Sequence, residues 1–278
     1  MLIDTHAHLN FNAYKDDLDE VIQRSLAENV WIINVGSKYE TSKRAVEIAE
    51  RYKEGIYASV GLHPIHSTTG LVKIKTDPEE GGFITEGEDF NIEKYRRLAQ
   101  SKKVVAVGEI GLDYYYKPKT KRKLEQFKER QKQVFLKQLE LAKVLNLPLI
   151  FHCRMAHQNL LEILKSKIKN QKSKIQGVIH CFTGNWEEAK KYLEMGFYLG
   201  FNGIIYKLDL EDVIKKTPLE KILLETDCPY LTPPQIGSQR NEPLFVKYIA
   251  QRIAEIKNLD YEKVVKATVQ NARELFKI

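Results

Sequence analysis

The sequence predicts an α/β protein, a (β/α)8 barrel in one domain spanning residues 1–278, with an extra C-terminal helix and an insertion after the third strand. Three observations lead there. Short apolar, β-branched runs alternate with stretches whose apolar residues recur at helical spacing, along the whole chain. Eight such units in roughly 250 residues is the size of a TIM barrel. No Gly-rich phosphate loop follows the first strand, where a doubly wound open sheet would carry one; Asp4-Thr5-His6-Ala7-His8 stands there instead.

The elements follow in order. The β-branched and apolar runs place strands at Leu2–His8, Trp31–Gly36, Ile56–His63, Val104–Glu109, Pro148–His152, Gly177–His180, Phe197–Phe201 and Lys221–Asp227. Amphipathic spacing places helices at Asp16–Glu28, Glu40–Tyr52, Gln126–Leu145, His157–Lys167 and Glu187–Glu194. Two more, Pro243–Lys257 and Tyr261–Phe276, follow the last strand, so one helix exceeds the barrel's need. Strands alternating with helices imply parallel pairing, because each crossover returns the chain to the same end of the sheet. Residues 66–91, rich in Gly, Thr and acidic side chains, break the pattern after the third strand, on the face where barrel active sites sit. No internal repeat or low-complexity linker divides the chain.

Composition narrows the class. The 278 residues are 43% hydrophobic and 29% charged, an ordinary globular balance that excludes fibrous and disordered chains. No stretch approaches the roughly 20 apolar residues that cross a bilayer. The N-terminus lacks a basic region followed by an apolar run, so no secretory signal is expected. Three cysteines do not make a disulfide framework, and free thiols suit the cytoplasm. Lys+Arg 44 against Asp+Glu 37 gives +7, which favours an anionic partner such as nucleic acid; a lysine-rich solvated surface is the plainer alternative. Basic residues crowd Lys117–Lys132 and Lys165–Lys174, whereas Asp77, Glu79, Glu80, Glu86, Glu88 and Asp89 crowd the insertion.

The strand ends carry the chemistry. His6 and His8 close the first strand, His63 the third, Glu109 the fourth, His152 the fifth, His180 the sixth and Asp227 the eighth; five of the seven histidines fall at such ends. In a barrel those ends converge at one rim, and imidazoles and carboxylates meeting there point to divalent metal. A lone strand histidine is more often a satisfied core residue; the joint placement is what points to metal. Side chains alternate with a period of two, so His8 points inward if His6 does. The same period places Asp4 and Glu225 one layer deeper, where they are expected to accept the second ring N–H of a ligating histidine. It also turns Cys153, Cys181 and Cys228 away from the axis, each being the neighbour of a candidate ligand, as small buried hydrophobes under the helices. Histidine-rich ligation favours zinc or manganese over magnesium, which prefers oxygen.

These residues resemble the TatD-type metal-dependent nucleases of the amidohydrolase-like barrels. The resemblance rests on Ile3-Asp4-Thr5-His6-Ala7-His8-Leu9, Gly61-Leu62-His63-Pro64, Gly108-Glu109-Ile110-Gly111-Leu112-Asp113-Tyr114-Tyr115, Ile150-Phe151-His152-Cys153-Arg154, His180-Cys181-Phe182-Thr183-Gly184, Glu225-Thr226-Asp227-Cys228-Pro229-Tyr230-Leu231 and Arg240-Asn241-Glu242-Pro243. It implies a two-metal phosphodiesterase acting on DNA, often as a 3′-to-5′ exonuclease. His6, His8 and Asp227 would hold one divalent ion (zinc, manganese or magnesium) and His152 and His180 the other, with Glu109 bridging. His63 and Arg154 would contact the scissile phosphate, and Asn241 and Glu242 would shape the loop over the site. Two departures stand out: Met155 follows Arg154 where relatives commonly carry Asp, and the 66–91 insertion is longer than usual, either covering the site or an inert excursion.

The expected mechanism is attack by an activated water on phosphorus, with Asp227 as proton acceptor and His63 as hydrogen-bond donor to the phosphate. Tyr114, Tyr115, Tyr116, Tyr206 and Tyr230 fall after strand ends and suit stacking of single-stranded bases, although tyrosines at barrel mouths also pack loops. Two other functions stay open: an amidohydrolase or aminoacyl-tRNA deacylase on the same barrel, and a non-catalytic nucleic-acid-binding barrel with a structural metal. No membrane or protein partner is indicated.

Overall fold

Eight parallel strands pair in chain order in the computed structural model, which describes residues 1–278 apart from 69, 73–77, 81–88 and 170–174. They are β1 Leu2–Ala7, β2 Val30–Val35, β3 Ile56–Val60, β4 Val104–Asp113, β5 Leu149–Arg154, β6 Gly177–Ile179, β7 Tyr198–Phe201 and β8 Ile222–Leu224. The ends of the sheet meet through an Ala7–Cys228 bridge. There the backbone N–H of His8 donates to Cys228 O (2.9 Å) and that of Asp227 to His6 O (2.9 Å). Those two bonds set the first and last strand ends side by side, which brings His6, His8 and Asp227 to one spot.

The helices are α1 Leu18–Ala27, α2 Tyr39–Glu50, α3 Ile92–Leu98, α4 Lys121–Leu145, α5 His157–Lys169, α6 Trp186–Glu194, α7 Glu211–Lys216, α8 Val246–Lys257 and α9 Tyr261–Phe276. Sequence periodicity missed α3 and α7, whose seven and six residues span too few turns for a stripe to register. Asn91, the last residue of the insertion, starts α3 by accepting the Glu93 and Lys94 N–H groups. The alternation of β5 is regular: Leu149, Phe151 and Cys153 pack outward with the helices, while Ile150 joins a separate buried cluster inside the barrel. Ala272, Leu275 and Phe276 of α9 belong to that inner cluster with Ile3, Ile33 and Leu223. The extra helix therefore seals the barrel away from the strand C-termini, and Asn271 fixes it by donating to Leu219 O and Ile222 O at 2.8 Å. Among the described residues, no helix is long and apolar enough to cross a membrane.

α4 begins five residues earlier than its apolar spacing indicated, so most of the Lys117–Lys132 run is helical. Its buried Gln138 brackets Leu62, accepting the N–H at 2.7 Å and donating to the carbonyl at 2.9 Å. Gln131 brackets Asp113 in the same way, at 2.9 and 2.8 Å. One helix thus fixes the chain after β3 and the end of β4.

Part of the insertion and the end of the Lys165–Lys174 run lie outside the described residues, as do Asp77, Glu86 and Glu88. What is described of the insertion is anchored at the rim. Glu80 accepts a hydrogen bond from Ser37 Oγ and lies 2.9 Å from His66 Nε2 and 3.8 Å from Lys38 Nζ. The Ala13 N–H donates to Glu79 O at 3.0 Å. This turn joins the segments that follow β1, β2 and β3. Burial opposes charge on Glu80, but His66, Ser37 and Lys38 outweigh it and hold the carboxyl at about 2. A carboxyl lowered in the folded state stabilises above its ordinary 4.5, and that contribution fades as pH falls toward 2. Glu80→Gln is expected to cost about 1–3 kcal/mol at pH 7. In thermal melts its deficit against the unmodified chain should shrink between pH 4.5 and 2; a constant deficit would contradict the assignment.

Candidate metal centre

All five strand-end histidines meet at the C-terminal rim around Glu109. The His6 and His180 rings stack with centroids 3.5 Å apart, His6 and His8 meet edge-on at 4.8 Å, and His63 meets His152 at 4.2 Å. Glu109 is buried and its two oxygens face different partners. Oε2 lies 3.5 Å from His6 Nε2 and 4.0 Å from His8 Nε2. Oε1 lies 2.6 Å from His152 Nδ1, 3.5 Å from His63 Nε2 and 3.6 Å from His180 Nε2. Asp227 Oδ1 completes the first side, at 3.4, 3.7 and 3.9 Å from His8, His6 and His180 Nε2.

The backbone holds these groups in special conformations. Gly111 sits at φ +145°, and a Cβ there would fall 2.0 Å from His152 O, so only glycine lets β4 run beside β5 between Glu109 and Asp113. Asp227 itself has φ +58°, a left-handed conformation that suits Asp and Asn.

Partners outside the cluster fix which ring nitrogen faces in. His8 Nδ1 lies 2.8 Å from Val35 O, and a carbonyl only accepts, so Nδ1 carries a proton and Nε2 is the nitrogen that faces Asp227. His63 Nδ1 accepts the Ile65 N–H at 3.2 Å, which puts the proton of a neutral ring on Nε2. His180 Nδ1 lies 2.9 Å from Glu225 Oε1, where the period-two argument placed that carboxylate. His152 Nε2 lies 3.0 Å from Asp113 Oδ2.

Charge follows the same pattern. Burial opposes ionisation of Glu109, but His63, His180 and His152 hold it well below the usual carboxylate range. Burial also opposes charge on His152 and His180; Glu109 with Asp113 raises the first to about 9, and Glu225 with Glu109 and Asp227 raises the second to about 10. Burial and the neighbouring His152 push His63 down to about 3, so its ring is neutral at neutral pH.

The donor set fits a cation. His6 Nε2 and His8 Nε2 stand 3.2 Å apart and share Asp227 and Glu109 as neighbours, a convergence of nitrogen and oxygen donors of the kind that binds zinc or manganese. His6 Nδ1 is buried without a hydrogen-bond partner among the described residues. Two groups with mutually close ligand atoms, all within 4.8 Å, are His6, His8 and Asp227, and His6, Glu109 and His180.

Two expectations need correction. Asp4 does not reach a histidine ring. The β1–β2 register shifts between Asp4 and Ala7, which puts Asp4 out of phase with His6 and His8. Its carboxylate turns to β8's end instead, accepting the Thr226 N–H (2.9 Å) and hydroxyl (2.5 Å) and the His6 N–H (3.2 Å). Burial raises Asp4 to about 8. Cys153 and Cys228 are buried as expected, but Cys181 is not turned away. β6 ends at Ile179 and Cys181 has φ +44°, so strand alternation no longer applies, and its Sγ sits within 4.8 Å of ligand atoms of His180 and Asp227. Of the expected substrate-side residues, Arg154 lies outside the cluster and is exposed, its guanidinium carbon 3.6 Å from the Tyr115 ring centroid. Glu242, beside Asn241 in the segment after β8, forms a two-pronged pair with Arg24 at 2.7 and 2.6 Å. Asn241 braces the segment after β8 by donating to Thr226 O (3.0 Å) and Tyr230 O (2.5 Å).

Asp113 is the residue that sequence reasoning passed over. It forms a third group with His63 and His152, and those two imidazoles and the hydrogen bond from Tyr115 N hold it at about 2 against burial. The signal was present: Glu109, Gly111 and Asp113 share one face at period two. Ending the strand at Glu109 concealed it.

A parallel barrel with imidazoles and carboxylates gathered at its C-terminal rim is the architecture of metal-dependent hydrolases. Comparison with known proteins agrees, and is more specific. The chain belongs to the TatD-related DNase family, whose model matches residues 3–277. It is 40% identical over 282 residues to the uncharacterized metal-dependent hydrolase YabD of Bacillus subtilis, with both chains fully covered. It is 31% identical over 284 residues to the 3′-5′ ssDNA/RNA exonuclease TatD of Pantoea ananatis, covering 99% of each. Among solved structures, YJJV, a TatD homologue from Escherichia coli K12, superposes with a TM-score of 0.81 at 30% identity, covering 100% of this chain and 98% of that one. The chain is thus a hydrolase of a metal-dependent family.

Proposed function

We propose that this hydrolase cleaves phosphodiester bonds of single-stranded nucleic acid, DNA foremost, from the 3′ end, with two divalent ions at the rim. One observation carries the reading: Glu109 turns one oxygen to His6 and His8 and the other to His152 and His180, the disposition of a carboxylate shared between two ions. The exonuclease activity named for the Pantoea relative supports the substrate class, and the net charge of +7 suits a polyanion.

In this reading His6, His8 and Asp227 would hold one ion, His152 and His180 would hold the other, and Glu109 would serve both. When bound, such ions lower the pKa of water and neutralise phosphate oxygens. The protein's own groups do the rest. Asp227, kept ionised by His180, His8 and His6 in spite of its burial, orients the attacking water and takes its proton. His63 presents Nε2–H to a non-bridging oxygen as a neutral donor. Asp113 and Glu225 hold the far nitrogens of His152 and His180, so the rings keep one orientation through the reaction.

The test uses purified protein and a 5′-labelled single strand. Stepwise shortening from the 3′ end, stopped by chelator and restored by manganese or magnesium, is expected. An intact strand with concurrent chelator-sensitive release of amino acid from aminoacyl-tRNA would overturn the reading in favour of carbonyl hydrolysis by the same site.

A further inference from the structure

Of the five tyrosines at the barrel mouth, three are engaged in packing or loop contacts. Tyr114 is buried with Lys128 over its ring, Tyr206 donates to Tyr248 O at 2.9 Å, and Tyr230 is partly buried with contacts of its own. Tyr115 and Tyr116 differ. Each is 48% exposed, they meet edge to face at 4.7 Å, and the Arg154 guanidinium carbon lies over the first, 3.6 Å from its ring centroid. Met155, 64% exposed, borders the group. Large exposed side chains stacked in this way are unusual on a solvated surface unless something covers them.

Their position relative to the metal centre is fixed by a single carboxylate. Asp113 Oδ1 accepts the Tyr115 N–H at 2.8 Å while Oδ2 lies 3.0 Å from His152 Nε2. Arg154 lies two residues beyond His152 on the same strand, about 7 Å along it. Exposed Lys117, Lys119, Lys121, Arg122 and Lys123 continue outward from the tyrosines. A polyanion drawn along those cations reaches the Arg154–Tyr115 stack immediately before His152.

The geometry points to a platform for one unpaired nucleobase, built from Tyr115, Tyr116 and Arg154 beside the His152 end of the metal centre. The base stacks on the outer plane of the Arg154 guanidinium, with Tyr115 as the layer beneath and Tyr116 as an edge-on wall. This replaces the expected phosphate contact of Arg154 with a planar one, and it rests on the nuclease reading above. A paired base has its faces occupied by its own neighbours, so the platform selects single strands.

The experiment separates plane from charge and base from backbone. Metal-loaded protein is titrated by fluorescence anisotropy with an oligothymidylate and with the same strand carrying an abasic terminal nucleotide, each protected by one terminal phosphorothioate. Tyr115→Ala and Arg154→Lys are each expected to weaken binding of the intact strand roughly tenfold, and of the abasic strand by less than about twofold. Lysine keeps the charge but not the plane, so a simple ionic contact with phosphate would survive that change. Equal losses on both strands, or near-wild-type binding by Arg154→Lys, would overturn the platform. Failure of the unmodified chain to cleave an all-phosphodiester strand would overturn the nuclease reading instead, and the binding comparison would still judge the platform.

Discussion

Glu109→Gln is expected to lower phosphodiester hydrolysis by about a thousandfold, the range over which removal of a central charged group acts on a preorganised site. The substitution is nearly isosteric, so the loss is electrostatic. Among the described residues, Glu109 is the one carboxylate within 4.0 Å of all five imidazoles. A neutral amide loses the shared charge, and its NH2 group must face one of the two histidine sets as a donor where an acceptor stood. Metal content should fall with activity, since in the two-ion reading this carboxylate would serve both ions. The far-UV circular dichroism should not change, because among the described residues no backbone hydrogen bond depends on the side chain. Activity within tenfold of the unmodified chain would remove Glu109 from the centre of the mechanism.

The second large effect is expected for Asp227→Asn, a loss of about a hundredfold or more, expressed in kcat. Here the fold argument is independent of the chemistry. Asp227 occupies φ +58°, a region Asn tolerates, and its backbone N–H to His6 O closes the barrel whatever the side chain. Asparagine therefore keeps the seam and the size of the side chain but can no longer take a proton. Stopped-time assays on a labelled strand give the rate, and thermal melts give the fold. A variant with unchanged Tm and undiminished kcat would show that the proton leaves by another route.

Much of this site was legible because barrels convert sequence position into space. His6, His152 and His180 lie within two residues of strand ends and Glu109 lies in the C-terminal half of β4, and every parallel strand of a barrel ends at the same rim, so residues far apart in the chain become neighbours without any knowledge of contacts. The expected partner of a ligating histidine was also found: Glu225 lies 2.9 Å from His180 Nδ1, although β8 ends one residue before it. The errors fall where alternation breaks. A register shift in β1 swung Asp4 toward Thr226, and the left-handed turn after β6 brought Cys181 to the rim. β4 runs four residues past Glu109, so Asp113 was lost with the strand's end. The Arg154–Tyr115 stack was unreadable for a different reason: two side chains from adjacent strands meet through the Tyr114–Arg154 backbone pairing, and no spacing within one segment encodes that.

Elemental analysis of the purified, dialysed protein alongside its nuclease assay is the most direct test of the account. About two divalent ions per chain, falling together with strand shortening on chelation and in Glu109→Gln, is the predicted outcome. Metal-free protein that still shortens the strand at full rate would contradict it.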